Sequence, residues 1–188
     1  DTRTTVMLRN IPNRMTQNML LEILERTVPK MYDWVYLRID FQSGANVGYA
    51  FVNFIVPAGI VAFARKMLGR RWEVCQSDKV VQMSYANVQG KAALIEKFRS
   101  SSVMDERIEY QPRLFVSSGP RRGEPELFPE ANDPVKVARS RIASKAGLYN
   151  ANAAKSVSRL TSPSSLSFGE LISFLDFCLS ASAERYVG

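Results

Sequence analysis

Two aromatic rings two positions apart, Tyr49 and Phe51 in the run VGYAFVNF, and two guanidinium groups in other apolar runs, Arg9 in TVMLRNI and Arg38 in WVYLRIDF, carry the most chemistry in this chain. That chemistry is recognition rather than bond making. A flat ring accepts a nucleobase on its face, arginine engages phosphate, and asparagine, glutamine or serine reads a base edge. Bond-making groups are scarce. The 188 residues include no histidine, which removes the commonest general base and the commonest metal ligand together. Cys75 and Cys178 lie more than a hundred residues apart, so neither a disulfide framework nor a zinc site is signalled. Paired acids at motif spacing and a Walker-type loop are missing. No catalytic residue, metal site or cofactor is expected.

The elements that must position these groups follow from hydrophobic period. Thr5 to Ile11 alternates as a first strand, broken by Pro12 and Asn13. Thr16 caps a helix whose apolar set, Met19, Leu20, Ile23 and Leu24, recurs at helical spacing until Pro29. Trp34 to Phe41 is a second strand, with Val35, Leu37 and Ile39 inward and Tyr36, Arg38 and Asp40 outward; the turn QSGAN leads into the third, VGYAFVNF. After Pro57, the set Ile60, Phe63, Ala64, Met67 and Leu68 marks a second helix ended by Gly69. Lys79 to Asn87 is a fourth strand, with Val81, Met83 and Tyr85 inward.

The order β-α-β-β-α-β predicts an α+β, ferredoxin-like fold: a four-stranded antiparallel sheet with two helices on one face. Outward residues from all four strands then collect on the other face. They are Met7, Arg9, Tyr36, Arg38, Tyr49, Phe51, Asn53, Gln82 and Ser84, with Asn87 just beyond the last strand. Basic side chains beside flat rings suit single-stranded RNA. Stacking contributes roughly 1 to 3 kcal/mol per base, whereas micromolar affinity needs about 8 kcal/mol. Two rings therefore fall short, and charge must add the rest, so weak, salt-sensitive binding of short oligonucleotides is expected. The formal net charge of +7 agrees. For Tyr49 and Phe51 the plainer alternative is burial under a further element; Met7 suits packing as well as base contact.

VGYAFVNF resembles the octapeptide signature of the RNA recognition motif, and VMLRNI, some forty residues upstream, resembles its hexapeptide signature. Two positions depart from the pattern: Val47 stands where the octapeptide has Lys or Arg, and Met7 where the hexapeptide has an aromatic residue. The finer pattern NIPNRMTQNML, LRIDF, NVGYAFVNF and MSYANVQGKAALIEKF resembles the C-terminal RNA recognition motif of the Mei-two-like family of meiosis regulators, over roughly residues 3 to 130. The resemblance implies sequence-specific RNA binding, a role in meiotic entry through noncoding RNA or mRNA, and an extra helix after the fourth strand. A nuclear and cytoplasmic distribution is expected with it. Acylphosphatases share the fold class, but their glycine-rich signature loop is absent here, so an enzyme is not expected.

The extra helix is also visible in the residues themselves, because KAALIEKFRS places Leu94, Ile95 and Phe98 in one stripe. It needs a surface to bury against, either the helix pair or the sheet, and in the second case it would partly cover the platform. A rival site is the run Arg70-Arg71-Trp72, since some domains of this fold hold a partner peptide through an Arg-x-aromatic loop at this place. The alternative to that reading is a Trp72 packed on its own domain.

Beyond residue 100 the composition shifts. Residues 101–133 read as a proline-punctuated extension anchored by Leu114, Phe115, Leu127 and Phe128, and residues 134–165 as a basic, serine-rich, disordered linker. Thr161-Ser162-Pro163 matches a proline-directed phosphorylation site. Residues 166–180 suggest an amphipathic helix, a second place for a protein partner. Leu166 to Leu179 is too short to span a bilayer, so no membrane partner is expected. Asp1 in place of methionine suggests an excised fragment.

Overall fold

The computed structural model describes residues 1–145; the basic stretch from 146, the serine/proline phosphorylation match and the helix expected at 166–180 lie outside them. Strand β1 (Thr5–Arg9) buries Val6 and Leu8 on one side and ends where Asn10 adopts a positive φ of 58° ahead of Pro12. Helix α1 (Gln17–Thr27) begins where the Thr16 hydroxyl accepts from the Met19 amide at 3.2 Å, one of the orphan donors of a first turn. Its buried stripe is Leu20, Ile23 and Leu24. Strands β2 (Tyr32–Ile39) and β3 (Asn46–Phe54) pair antiparallel across the turn at residues 40–45. Helix α2 (Pro57–Met67) starts at a proline, whose missing N–H is harmless there, and packs so tightly that a Cβ on Gly59 would meet Phe54 Cδ1 at 2.8 Å.

Strand β4 (Gln82–Tyr85) is shorter than the Lys79 to Asn87 expected, because only a single bridge, Arg71 to Val80, precedes it. Val6, Leu8, Val35, Leu37, Ala50, Val52 and Phe54 make one core with Leu20, Leu24, Ile60 and Phe63 from the two helices. Trp72 belongs to that core. It is 1% exposed, and its indole N–H donates to the Asn10 carbonyl at 2.9 Å. The loop Arg70-Arg71-Trp72 therefore lacks an outward aromatic ring, and Arg71 pairs with Asp78 at 2.9 Å.

Four strands become six. The proline-rich extension returns along the free edge of β2 as β5 (Arg113–Phe115), followed by β6 (Pro125–Glu126), giving the antiparallel order β4-β1-β3-β2-β5-β6. An unpaired edge exposes a row of backbone donors and acceptors, and the chain's own extension satisfies it. Leu114 and Phe115 are buried and Phe128 is half-buried as anchors, but Leu127 is 92% exposed and anchors nothing.

Helix α3 (Lys91–Phe98) lies on the sheet face opposite α1 and α2. The Gln89 side chain directs it there: its Oε1 accepts from the Thr4 and Thr5 amides at 3.0 and 2.9 Å, and its Nε2 donates to the Thr5 and Ala86 carbonyls at 2.8 and 2.7 Å. Gly90, at φ 87°, then turns the chain across the face. Leu94 and Phe98 pack on Trp34, Tyr36, Val103 and Leu114, with the Phe98 ring 5.3 Å from Trp34 and 5.1 Å from Tyr36.

The outer side of α3 is strapped by the extension. Lys91 Nζ reaches the Phe115 carbonyl at 2.7 Å and Glu126 at 2.5 Å, Arg99 donates to the Glu130 carbonyl, and Ser100 bonds Asn132. Residues 134–145, expected as disordered linker, instead form helix α4 (Pro134–Lys145). Asp133 caps it by accepting from the Lys136 amide at 2.9 Å, with Pro134 at its first position. Arg141 makes a two-pronged bond to Asp105 at 2.7 and 2.8 Å, which holds that carboxyl below its ordinary range.

Phe98→Ala is expected to destabilise the domain by about 3 to 5 kcal/mol, the usual cost of emptying a buried aromatic site. Urea unfolding followed by tryptophan fluorescence checks it, since Trp34 lies against the deleted ring.

Candidate nucleic-acid interface

Alternation along each strand and the pairing registers arrange the second face in three rows. The first runs Gln82, Arg9, Tyr49, the second Ser84, Met7, Phe51, Tyr36, and the third Thr5, Asn53, Trp34, Leu114. Arg38, two positions after Tyr36, continues the first row on β2. Every residue expected on this face is on it. Their accessibility differs sharply, and α3 is the reason.

The third row is closed. Asn53 is 3% exposed; its amide donates to Asp33 at 2.7 Å and its carbonyl oxygen accepts from the Thr4 and Thr5 hydroxyls at 2.9 and 2.7 Å, so nothing is left to read a base. The second row is graded. Ser84 is half-buried, Met7 is 3% exposed, Phe51 keeps an open edge and Tyr36 is 1% exposed under Phe98. Three expected contacts, Met7, Tyr36 and Asn53, are thus closed over: Tyr36 lies under the apolar stripe of α3, Asn53 is tied to Thr4, Thr5 and Asp33, and Met7 is buried between the strands and the cleft beside α3. Only the first row stays open. Gln82 is exposed, and Arg9, Arg38 and Tyr49 are half-exposed.

Tyr49 and Phe51 meet edge to face, with centroids 5.8 Å apart and planes at 81°. Two perpendicular rings cannot both lie flat against one planar group, so their faces are aimed in different directions. Arg9 makes no ion pair among the described residues, which leaves its charge available to a phosphate. Beside the first two rows, the end of α3 and the segment after β4 enclose a cleft of about 140 Å³ between Met7, Phe51 and Tyr85 on the sheet and Leu94, Lys97 and Phe98 on the helix. The exposed Asn87 stands at this cleft, next to Ala86 and Val88.

Sequence reasoning missed Lys97 and Val88 as walls of the cleft and Trp34 as part of the face. Trp34 was legible by parity, two positions before Tyr36. Lys97 was not, since its place depends on how α3 lands. Arg3, ion-paired with Asp1, lies 3.7 Å over the Tyr85 ring at the same edge.

Closed and open rows respond differently to truncation. Tyr36→Ala is expected to cost about 3 to 5 kcal/mol, and Tyr49→Ala less than about 1 kcal/mol, as for a surface position. Thermal unfolding of both variants measures the contrast, and equal losses would place Tyr49 in the core.

Residues 3–99 match the family model of RNA recognition motif 2. The meiosis protein mei2 of Schizosaccharomyces pombe is 51% identical over 156 residues, covering 82% of this chain and 21% of that protein. MEI2-like 5 of Oryza sativa subsp. japonica is 51% identical over 115 residues (61% of this chain, 14% of that protein), and MEI2-like 4 of Arabidopsis thaliana is 40% identical over 164 residues (87% and 17%). The chain thus spans about a fifth or less of the length of these relatives. Among solved structures, the Rna15 RRM with bound RNA (GU) superposes with a TM-score of 0.40 at 20% identity, over 48% of this chain and 89% of that one. With its two signatures on neighbouring central strands and the family match running from β1 to the end of α3, this chain belongs to the RNA recognition motif 2 family, as a Mei2-like RNA recognition motif.

Proposed function

We propose that this domain binds single-stranded RNA along the open first row and into the cleft beside α3. Bases stack on the rings of Tyr49 and Phe51, Arg9 and Arg38 neutralise phosphates, and Gln82, Ser84 and Asn87 contact base edges. One observation carries this reading: α3 covers Trp34 and Tyr36 yet leaves the perpendicular Tyr49 and Phe51 pair beside an arginine that has no carboxylate partner among the described residues. A face meant only for packing would have its rings covered and its charges paired.

Within a longer protein, the RNA held here belongs to the control of meiosis. That role rests on the relatives named for it, which share 40 to 51% of aligned residues with this chain. The partner-peptide alternative at Arg70-Arg71-Trp72 lacks its central feature, because the Trp72 ring is in the core.

Amide NMR titration with a short single-stranded RNA tests the platform. Shifts are expected at Arg9, Tyr49, Phe51 and Asn87. Tyr49→Ala with Phe51→Ala should weaken binding at least tenfold, given roughly 1 to 3 kcal/mol per stacked base, while the folded spectrum persists. Affinity should also drop steeply as salt rises. Shifts confined to α4 would overturn the reading.

A further inference from the structure

On the far side of the turn at residues 40–45 lies a groove of about 800 Å³ that none of the RNA signatures includes. It is bounded by the start of α1, by the turn itself, and by the extension at residues 107–113. Arg14 reaches it from the segment before α1 and Arg107 and Arg113 from the extension, with Asn13, Ser43 and Tyr110 also lining it. Its one carboxylate, Glu109, is paired with Arg107 at 3.2 Å. Arg14 and Arg113 form no ion pair among the described residues.

The groove is built, not incidental. Gln17, 3% exposed, holds its far wall: its amide donates to the Gln111 carbonyl at 2.7 Å and the Glu109 carbonyl at 3.3 Å, while its oxygen accepts from the Leu37 amide at 2.8 Å. Tyr110 stacks on Phe41 at 6.2 Å, and the turn approaches it so closely that a Cβ on Gly44 would lie 3.2 Å from its hydroxyl. Gly44 also has a φ of 70°, so the close turn depends on glycine.

We propose that this groove takes the phosphodiester backbone of the RNA strand as it runs off the first row. The chemistry favours phosphate because a guanidinium fork matches phosphate oxygens in two-pronged bonds, and three arginines line the groove against a single carboxylate. The path runs round the end of β2: Arg38 of the row and Ile39 of the groove are consecutive residues on opposite faces of the strand, so an RNA strand leaving the row reaches the groove by turning past residues 40–45. Contacts of this kind position a strand and strengthen it without reading its sequence. The proposal rests on the platform reading above and extends its footprint from bases on the sheet to phosphates beyond its rim.

The test uses the whole 188-residue chain with Arg14→Gln and Arg107→Gln together, both exposed positions, and a second variant that adds Arg113→Gln. Each is titrated with RNA of about three nucleotides, enough for the stacked bases alone, and with an extended single strand. Affinity for the short RNA should stay unchanged. The extended RNA should bind about tenfold more weakly, and the slope of log affinity against log salt should flatten by roughly 0.7 for each phosphate contact removed. An unchanged slope on extended RNA would overturn the groove while leaving the platform intact, as would equal losses on both lengths. An acidic peptide that shifts the groove amides while RNA affinity is unaffected would overturn it in favour of a protein ligand. Failure of the platform itself reads differently: Tyr49→Ala with Phe51→Ala would then leave short-RNA binding unaltered.

Discussion

The side-chain amide of Gln89 decides what the second sheet face is for. By bonding two amides and two carbonyls around the start of β1, it fixes the segment after β4 against the sheet, and Gly90 then sends α3 across β2 and β3 instead of into solvent. Four hydrogen bonds from one half-buried side chain also satisfy backbone groups at the strand end, where an unpaired buried amide would cost about 1 to 3 kcal/mol. The open row, the closed rows and the cleft all follow from that single placement.

Covering the face has a cost and a return. Trp34 Nε1 is buried and finds no acceptor among the described residues, an unfavourable arrangement. Against it stand three rings, Trp34, Tyr36 and Phe98, packed within 5.1 to 6.2 Å of one another, together with Leu94, Val103 and Leu114. The extension adds to this by pairing with the β2 edge and bonding the outer side of α3 through Lys91, Arg99 and Ser100. Helix α3 is therefore held from beneath by apolar contact and from above by hydrogen bonds, and the open part of the face it leaves is narrow.

A narrow stacking surface shifts the burden of affinity to charge. Two perpendicular rings supply a few kcal/mol by stacking, and much of the remainder must come from guanidinium groups at the rim. Arg9 stands on the first row and Arg14 and Arg113 line the groove beside the turn at residues 40–45, and none of the three pairs with a carboxylate among the described residues.

Period and turn chemistry alone determined the order of the first four strands and three helices, the inward core and most of the second face. Alternation of side chains is a property of the strand itself, so Tyr49, Phe51, Arg9 and Arg38 were legible as one face from their numbers. The residues expected to meet a ligand were a different matter. Parity says which way Met7, Tyr36 and Asn53 point but not what lies above them, and that depends on long-range hydrogen bonds such as Gln89 to Thr4, eighty-five positions apart. The fifth and sixth strands escaped notice for the same reason: three residues at 113–115 carry too little pattern to announce a strand, and become one only because the edge of β2 is there to pair with. Helix α4 did carry a local start signal, Asp133 before Pro134, hidden by the basic composition around it. Local spacing specified which groups share a surface; the tertiary structure decided which of them remain open, because burial is set by whatever distant segment packs on top.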